Sequence, residues 1–158
     1  MFDYSEKAMA YFKQGYNCAQ AVVAAFCDKL NIDFDTAMKL SSSFGGGMGR
    51  LREVCGAVTG MFTVAGLLYG YTDSASQEAK AAHYKLIQDL AAKFKEENGS
   101  IVCRELLELN REGADNPVPD ARTKQYYAKR PCVQLVGMAA EILGALIDER
   151  EGDVQAKA

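Results

Sequence analysis

The chain has no tryptophan, one histidine and three prolines among its 158 residues. A single histidine leaves little material for a His-based relay, and His83 lies on an amphipathic helical pattern where a surface or half-buried place is the simpler expectation. No two of the five cysteines are spaced Cys-x-x-Cys, which disfavours zinc ribbons and thioredoxin-like motifs. Without Cys-x-x-Cys-His, covalent c-type haem is not expected either. The net charge is −3 and no basic block occurs, so neither nucleic acid nor an anionic membrane surface is an expected partner. Met1-Phe2-Asp3-Tyr4-Ser5-Glu6 carries no hydrophobic signal run, and a reducing cytoplasm is the expected compartment. Five cysteines in such a compartment do not point to a static disulfide frame. They point to metal binding or redox chemistry.

Strand signals, internal repeats and linkers are also lacking, and the apolar period is helical nearly throughout. The composition, 49% hydrophobic and 25% charged, suits one globular domain. The expected fold is therefore all-α: a single-domain bundle of about six to eight helices over residues 1–150, followed by a frayed tail over 151–158. Asp3 to Glu6 reads as a capping box for a helix over 4–14, ended by Gly15. A second helix is expected over 18–30, and a third, capped by Asp33 or Asp35, ends before Gly45. Residues 54–72 carry no charged side chain but hold Gly56, Gly60, Gly66 and Gly70. Two Gly-x-x-x-Gly pairs permit close helix contacts, so this stretch predicts a buried central helix and not a membrane span. Ser74 with Gln77 reads as the cap of a long helix to about Glu97, and Ser100 as the start of another ending near Asn110. Residues 111–130 are the least regular, with 120–130 readable as a short helix or a loop. Pro131 opens the last helix.

Four cysteines fall at or near predicted helix starts. Cys18 follows Asn17, Cys103 follows Ser100 by three residues, Cys132 follows Pro131, and Cys55 follows the glycine-rich stretch Phe44-Gly45-Gly46-Gly47-Met48-Gly49. A helix N-terminus presents unpaired N–H groups and the positive end of the dipole, which lowers a thiol pKa. Arg50, Arg52, Arg104, Lys129 and Arg130 lie nearby in sequence and act in the same direction. Helical spacing turns Cys18 toward the side of Val22 and Ala25, Cys103 toward Leu106 and Leu107, and Cys132 toward Val136 and Ala139. Cys27 lies half a turn from Cys18 and reads as a packing residue. The glycine-rich stretch lacks the Gly-Lys-Ser/Thr ending of a phosphate-binding loop, so nucleotide binding is not expected. Its simplest role is a sharp turn. A sharper one assigns Gly45, Gly46, Gly47, Gly49 and Arg50 to holding an anionic centre beside Cys55.

These segments look familiar together. Asn-Cys-Ala-Gln-Ala-Val at 17–22, Gly-Gly-Gly-Met-Gly-Arg and Cys-Gly-Ala-Val-Thr-Gly within 45–60, Cys-Arg-Glu-Leu at 103–106 and Cys132 resemble the C-GCAxxG-C-C family of redox-active proteins. The resemblance implies that Cys18, Cys55, Cys103 and Cys132 are that family's four cysteines, with Cys27 outside the pattern. It names no reaction. The leading expectation is a small electron-transfer protein whose four cysteines ligate an iron–sulfur cluster or other metal. One alternative is a metal-free thiol–disulfide protein in which two of the four cycle. Another is a non-catalytic helical interaction module whose cysteines only pack. An unnamed redox partner is implied, and a homodimer is left open.

Overall fold

Asp3 accepts a hydrogen bond from the Glu6 N–H through its carboxylate and starts the first helix, as the sequence predicts. A computed structural model of the chain describes residues 3–158. Its eight α-helices are α1 (Tyr4–Lys13), α2 (Cys18–Ala25), α3 (Phe34–Ser41), α4 (Gly56–Tyr69), α5 (Gln77–Asn98), α6 (Cys103–Leu106), α7 (Lys124–Lys129) and α8 (Cys132–Lys157). A 3-10 turn, Ser42–Phe44, and a tight turn, Gly45–Met48, bridge α3 to the loop before α4. Among the described residues there is no β-strand, and one isolated antiparallel bridge pairs Val54 with Val102. The fold is all-α.

The glycine-bearing helix α4 lies in the core, and α2 shares the centre with it. Ala21, Val22, Val23, Ala24 and Ala25 of α2 and Ala57, Val58, Met61, Val64 and Ala65 of α4 are buried. Small residues let the two axes approach closely. A Cβ added at Gly60 would lie 2.8 Å from the Ala19 carbonyl oxygen, so the contact requires glycine there. Of the i, i+3, i+4 apolar stripe of α8, Leu135, Ala139, Leu143 and Leu146 are buried in the same core, and Met138 and Ile142 pack half-buried against it. Gly137 of α8 opens a seat for Met9 of α1, whose Sδ would stand 3.0 Å from a Cβ there. Helix α5 covers the core with Leu90 and Phe94. Each such buried aliphatic or aromatic side chain contributes about 1.5–3 kcal/mol.

Several boundaries differ from the expectation. Helix α2 ends at Ala25 and gives way to turns over 26–30. Ser76, not Ser74, caps α5 by accepting from the Ala79 N–H. Ser100 does not open a long helix. Its hydroxyl accepts from the Val102 N–H and pairs with Glu105, while residues 101–103 extend along 53–55, so α6 shrinks to one turn. The tail expected to fray after Glu151 continues α8 to Lys157, exposed throughout. Among the described residues, no helix is long and apolar enough to cross a membrane.

Candidate functional site

Four helix starts meet at one end of the bundle. Asn17 caps α2 with a reciprocal box: its side chain accepts from the Gln20 N–H at 2.9 Å, and the Gln20 side chain accepts from the Asn17 N–H at 3.2 Å. The Asn17 amide also donates to the Ser42 carbonyl at 3.0 Å, tying α2 to the 3-10 turn that leads into the glycine-rich stretch. Cys55 is the N-cap of α4, and Cys103 and Cys132 are the first residues of α6 and α8. A short two-way ladder holds two of these starts together. The Cys55 N–H donates to the Ile101 carbonyl at 2.8 Å, and the Cys103 N–H to the Glu53 carbonyl at 2.6 Å.

Between them the backbone winds left-handed. Gly46, Gly47, Met48, Gly49 and Arg50 are successive residues with φ between 63° and 71°, and Arg52 follows at 60°. After an extended Gly45, residues Gly46–Met48 thus form a left-handed turn and not a right-handed helix. Left-handed conformation costs a residue with a Cβ about 1–2 kcal/mol, so Met48, Arg50 and Arg52 store strain beside the cysteines. The turn also leaves room for sulfur. A Cβ at Gly47 would lie 2.6 Å from the Cys103 Cβ, and one at Gly56 would overlap the Cys18 Sγ.

Cys18, Cys55, Cys103 and Cys132 all line one cavity of about 290 Å³. Cys27 is not among its lining residues; its thiol donates to the Val23 carbonyl at 3.6 Å within α2 and the following turn. Gly45, Gly46, Gly49 and Arg50 line the cavity as well, whereas Gly47 does not and stands behind Cys103. Four arginines face the space: Arg50, Arg52, Arg122 and Arg130. The remaining wall is largely apolar, with Phe12, Leu106, Leu107 and Leu135, and Pro117 and Pro119 cross it.

The thiol pKa values run opposite to the expectation from helix N-termini. Burial pushes Cys18 up, against the N–H groups of Gly46 and Ala19, which favour its thiolate. Burial also holds Cys55 well above its ordinary value. The neighbouring Cys18 adds to this, and the Ala57 and Val58 N–H groups oppose it. Cys132 is pushed up to about 11, by burial first and then by Cys18 and Cys103, with Arg130 and the Tyr126 hydroxyl pulling the other way. The helix-end N–H groups therefore act as predicted, but desolvation by burial is the larger effect. The mutual influence of Cys18, Cys55, Cys103 and Cys132 reflects their nearness in space.

Sequence reasoning missed the strap over this site. Asp115 has a side chain only 7% exposed and binds Arg52 Nε at 2.7 Å, Arg50 at 3.8 Å, and Arg111. Asp120 pairs with Arg130 at 3.1 Å and Arg50 at 3.5 Å. Arg122 lies 4.0 Å over the Phe12 ring and donates to the Phe12 and Tyr16 carbonyls at 2.8 and 3.1 Å. Tyr126 is half-buried beside it, its hydroxyl pushed up to about 12 by burial and the Cys132 sulfur. The concentration of arginine and aspartate within the otherwise loop-like stretch 104–130 is the only trace of this in the sequence. His83 is half-buried against Tyr71, away from the cavity, as expected.

A single metal ion does not suit the arrangement. Among the described residues, no three His, Cys, Asp or Glu side chains are grouped to hold one. A zinc ion needs ligand atoms about 2.0–2.3 Å away, hence sulfurs almost in contact. Here the four thiols are spread around a cavity wall. Four cysteines and four arginines line the same space.

A family model described as "Putative redox-active protein (C_GCAxxG_C_C)" matches residues 16–146. No curated protein and no solved structure matches the chain.

Proposed function

The chain belongs to the C_GCAxxG_C_C family, and we propose that Cys18, Cys55, Cys103 and Cys132 form one redox site that ligates an iron–sulfur centre for electron transfer. The observation that carries this reading is the gathering of four helix-start cysteines around one cavity while Cys27 lies elsewhere. When bound, such a centre supplies one-electron chemistry at a potential set by its charge, its hydrogen bonds and its exposure. The chain's own part is to bind and tune. The Gly46, Ala19, Ala57 and Val58 N–H groups direct positive dipole at Cys18 and Cys55. Arg50, Arg52, Arg122 and Arg130 offset thiolate charge. Phe12, Leu106, Leu107 and Leu135 limit water. The burial that disfavours free thiolates leaves the site in need of a positive partner before four sulfurs can ionise together. A redox partner and a reducing compartment complete the proposal.

A second reading, a metal-free dithiol, draws support from the lack of any grouped ligand set for one ion among the described residues. Purification without oxygen separates the two, with iron and sulfide analysis and an absorption spectrum. Coloured protein with matching iron and sulfide is the expected result. Colourless protein with a reversibly titrating cysteine pair moves the assignment to the dithiol. Colourless protein with unreactive thiols overturns both and leaves packing as the role of the cysteines.

A further inference from the structure

Residues 110–121 are the part of the strap that crosses the cysteine cavity, with Pro117, Pro119 and Asp120 in its lining. Every residue of this segment except Asp115 is exposed, and none belongs to the hydrophobic core or packs against it. Polar contacts hold it down. The Asp115 N–H donates to the Arg50 carbonyl at 3.0 Å, and Arg50 Nε donates to the Asn116 carbonyl at 2.7 Å. The Asp115 carboxylate accepts from Arg52 Nε at 2.7 Å, and Asp120 pairs with Arg130 and Arg50. The chain on either side is built to stay or to turn. Arg122 is fixed to the Phe12 and Tyr16 carbonyls, and Thr123 caps α7. At the other end Glu108 and Gly113 have left-handed backbones, φ 55° and 91°, and nothing lies within 4 Å of a Cβ position on Gly113. Loop positions of this kind absorb the rotation of a hinge.

The energetics favour opening of this piece ahead of the helices around it. Lifting it uncovers no core side chain, so the hydrophobic cost of unfolding does not arise. It wets Asp115 and Arg52 together. Neither charge is then left buried without a partner, which is what makes a broken buried pair expensive. Beneath the segment, Cys55 and Cys103 are 6% and 7% exposed. The guanidinium that holds Asp115 through Nε also reaches Cys103 Sγ with Nη1, at 3.6 Å. The fastening of the strap therefore sits on a residue that touches a site sulfur.

We propose that residues 110–121 form a hinged lid, latched by Asp115 on Arg50 and Arg52, whose opening admits small solutes to Cys55 and Cys103. The inference rests on the reading of the four cysteines as one site, and not on which redox group they hold. The Asp115 N–H bonds the Arg50 carbonyl only while the lid is closed, so its hydrogen exchange follows the lid.

The test uses the full chain purified without oxygen, with iron measured on the same sample. Hydrogen exchange is followed by mass spectrometry at single-residue resolution, in buffer and in about 1 M urea. Access is read in parallel: capture of iron by a chelator where iron is bound, or carbamidomethylation of Cys55 and Cys103 by iodoacetamide where it is not. The Asp115 amide is expected to exchange at a rate that urea leaves unchanged, while the buried amides of α4 exchange faster in urea. Lid opening uncovers little surface and unfolding uncovers much. The access rate should be equally indifferent to urea. Asp115→Asn should raise the exchange at position 115 and the access rate roughly tenfold or more. Lys85→Gln, at a surface ion pair with Asp89, should match the parent in both. Exchange at Asp115 with the urea dependence of the α4 amides, or unchanged access in folded Asp115→Asn, overturns the proposal. If Asp115→Asn does not fold, the parent decides: access indifferent to urea supports the lid, and access that rises with urea as the α4 amides do overturns it. Iron-free protein with lid-controlled access leaves the lid standing and sinks the cluster; bound iron that is captured only on unfolding does the reverse.

Discussion

Gly56 stands so close to Cys18 that a Cβ on the glycine would overlap the Cys18 sulfur. The start of α4 thereby makes room for the first thiol of α2, and one hydrogen atom at Gly56 couples two of the four cysteine segments. The Phe44 carbonyl, 2.9 Å from the same Cβ position, closes the alternative direction.

Gly56→Ala is therefore expected to displace Cys18, lowering stability by about 1–3 kcal/mol through overpacking and reducing the iron content that the proposed centre calls for. Gly66→Ala is the control on the same helix. Nothing lies within 4 Å of its Cβ position, and alanine there should raise stability by about 0.5–1 kcal/mol. Thermal unfolding and iron content of the two variants check this. Equal iron in parent and Gly56→Ala would remove Cys18 from the site.

If the proposed iron–sulfur centre is present, Cys55→Ser should lose its iron and change its redox midpoint, while Cys27→Ser keeps both. Each exchange replaces sulfur by oxygen at similar size, so the packing costs are comparable, and serine supplies no thiolate. Iron analysis and potentiometry read the outcome. Loss in Cys27→Ser and retention in Cys55→Ser would mean that the wrong cysteines have been assigned.

Tyr126→Phe removes the hydroxyl that favours charge on Cys132 but keeps the ring under Arg122, 5.1 Å from its centroid. Hydrogen bonds to a ligand sulfur favour the more negative, reduced state. The midpoint potential of the proposed centre should fall while the unfolding free energy stays within about 1 kcal/mol of the parent. An unchanged potential with intact fold would show that Tyr126 only packs.

Asp115→Asn should destabilise the fold by about 3 kcal/mol, because it withdraws a buried carboxylate from Arg50, Arg52 and Arg111 together. The strap over residues 107–123 should become the first site of proteolytic cleavage. Denaturant unfolding and limited proteolysis measure both effects. Parent-like stability with parent-like cleavage would mean that these ion pairs do not hold the strap.

Much of the fold was legible because its determinants are local. Asp3, Asn17 and Asp33 each cap a helix within three residues of the N–H they accept, and a reader of the sequence sees both partners at once. The uncharged, glycine-bearing stretch reads as a buried helix for the same reason, and the order of the four cysteines marks them as one set. The errors fall where a distant segment intervenes. Ser100 has the chemistry of a cap, yet the pairing of Val102 with Val54 draws the chain into an extended path and shortens α6.

The sequence alone thus determined an all-α chain with four cysteines at helix starts, since helix period, capping and glycine content act over a few residues. Tertiary structure alone decided that all five residues from Gly46 to Arg50 wind left-handed, that Asp115 gathers Arg50 and Arg52 while Tyr126 stands at Cys132, and that burial outweighs the helix ends at Cys18, Cys55 and Cys132. Desolvation depends on everything that surrounds a group, and the surroundings of Cys18, Cys55 and Cys132 come from segments scattered over more than a hundred positions of the chain. No local pattern carries that information.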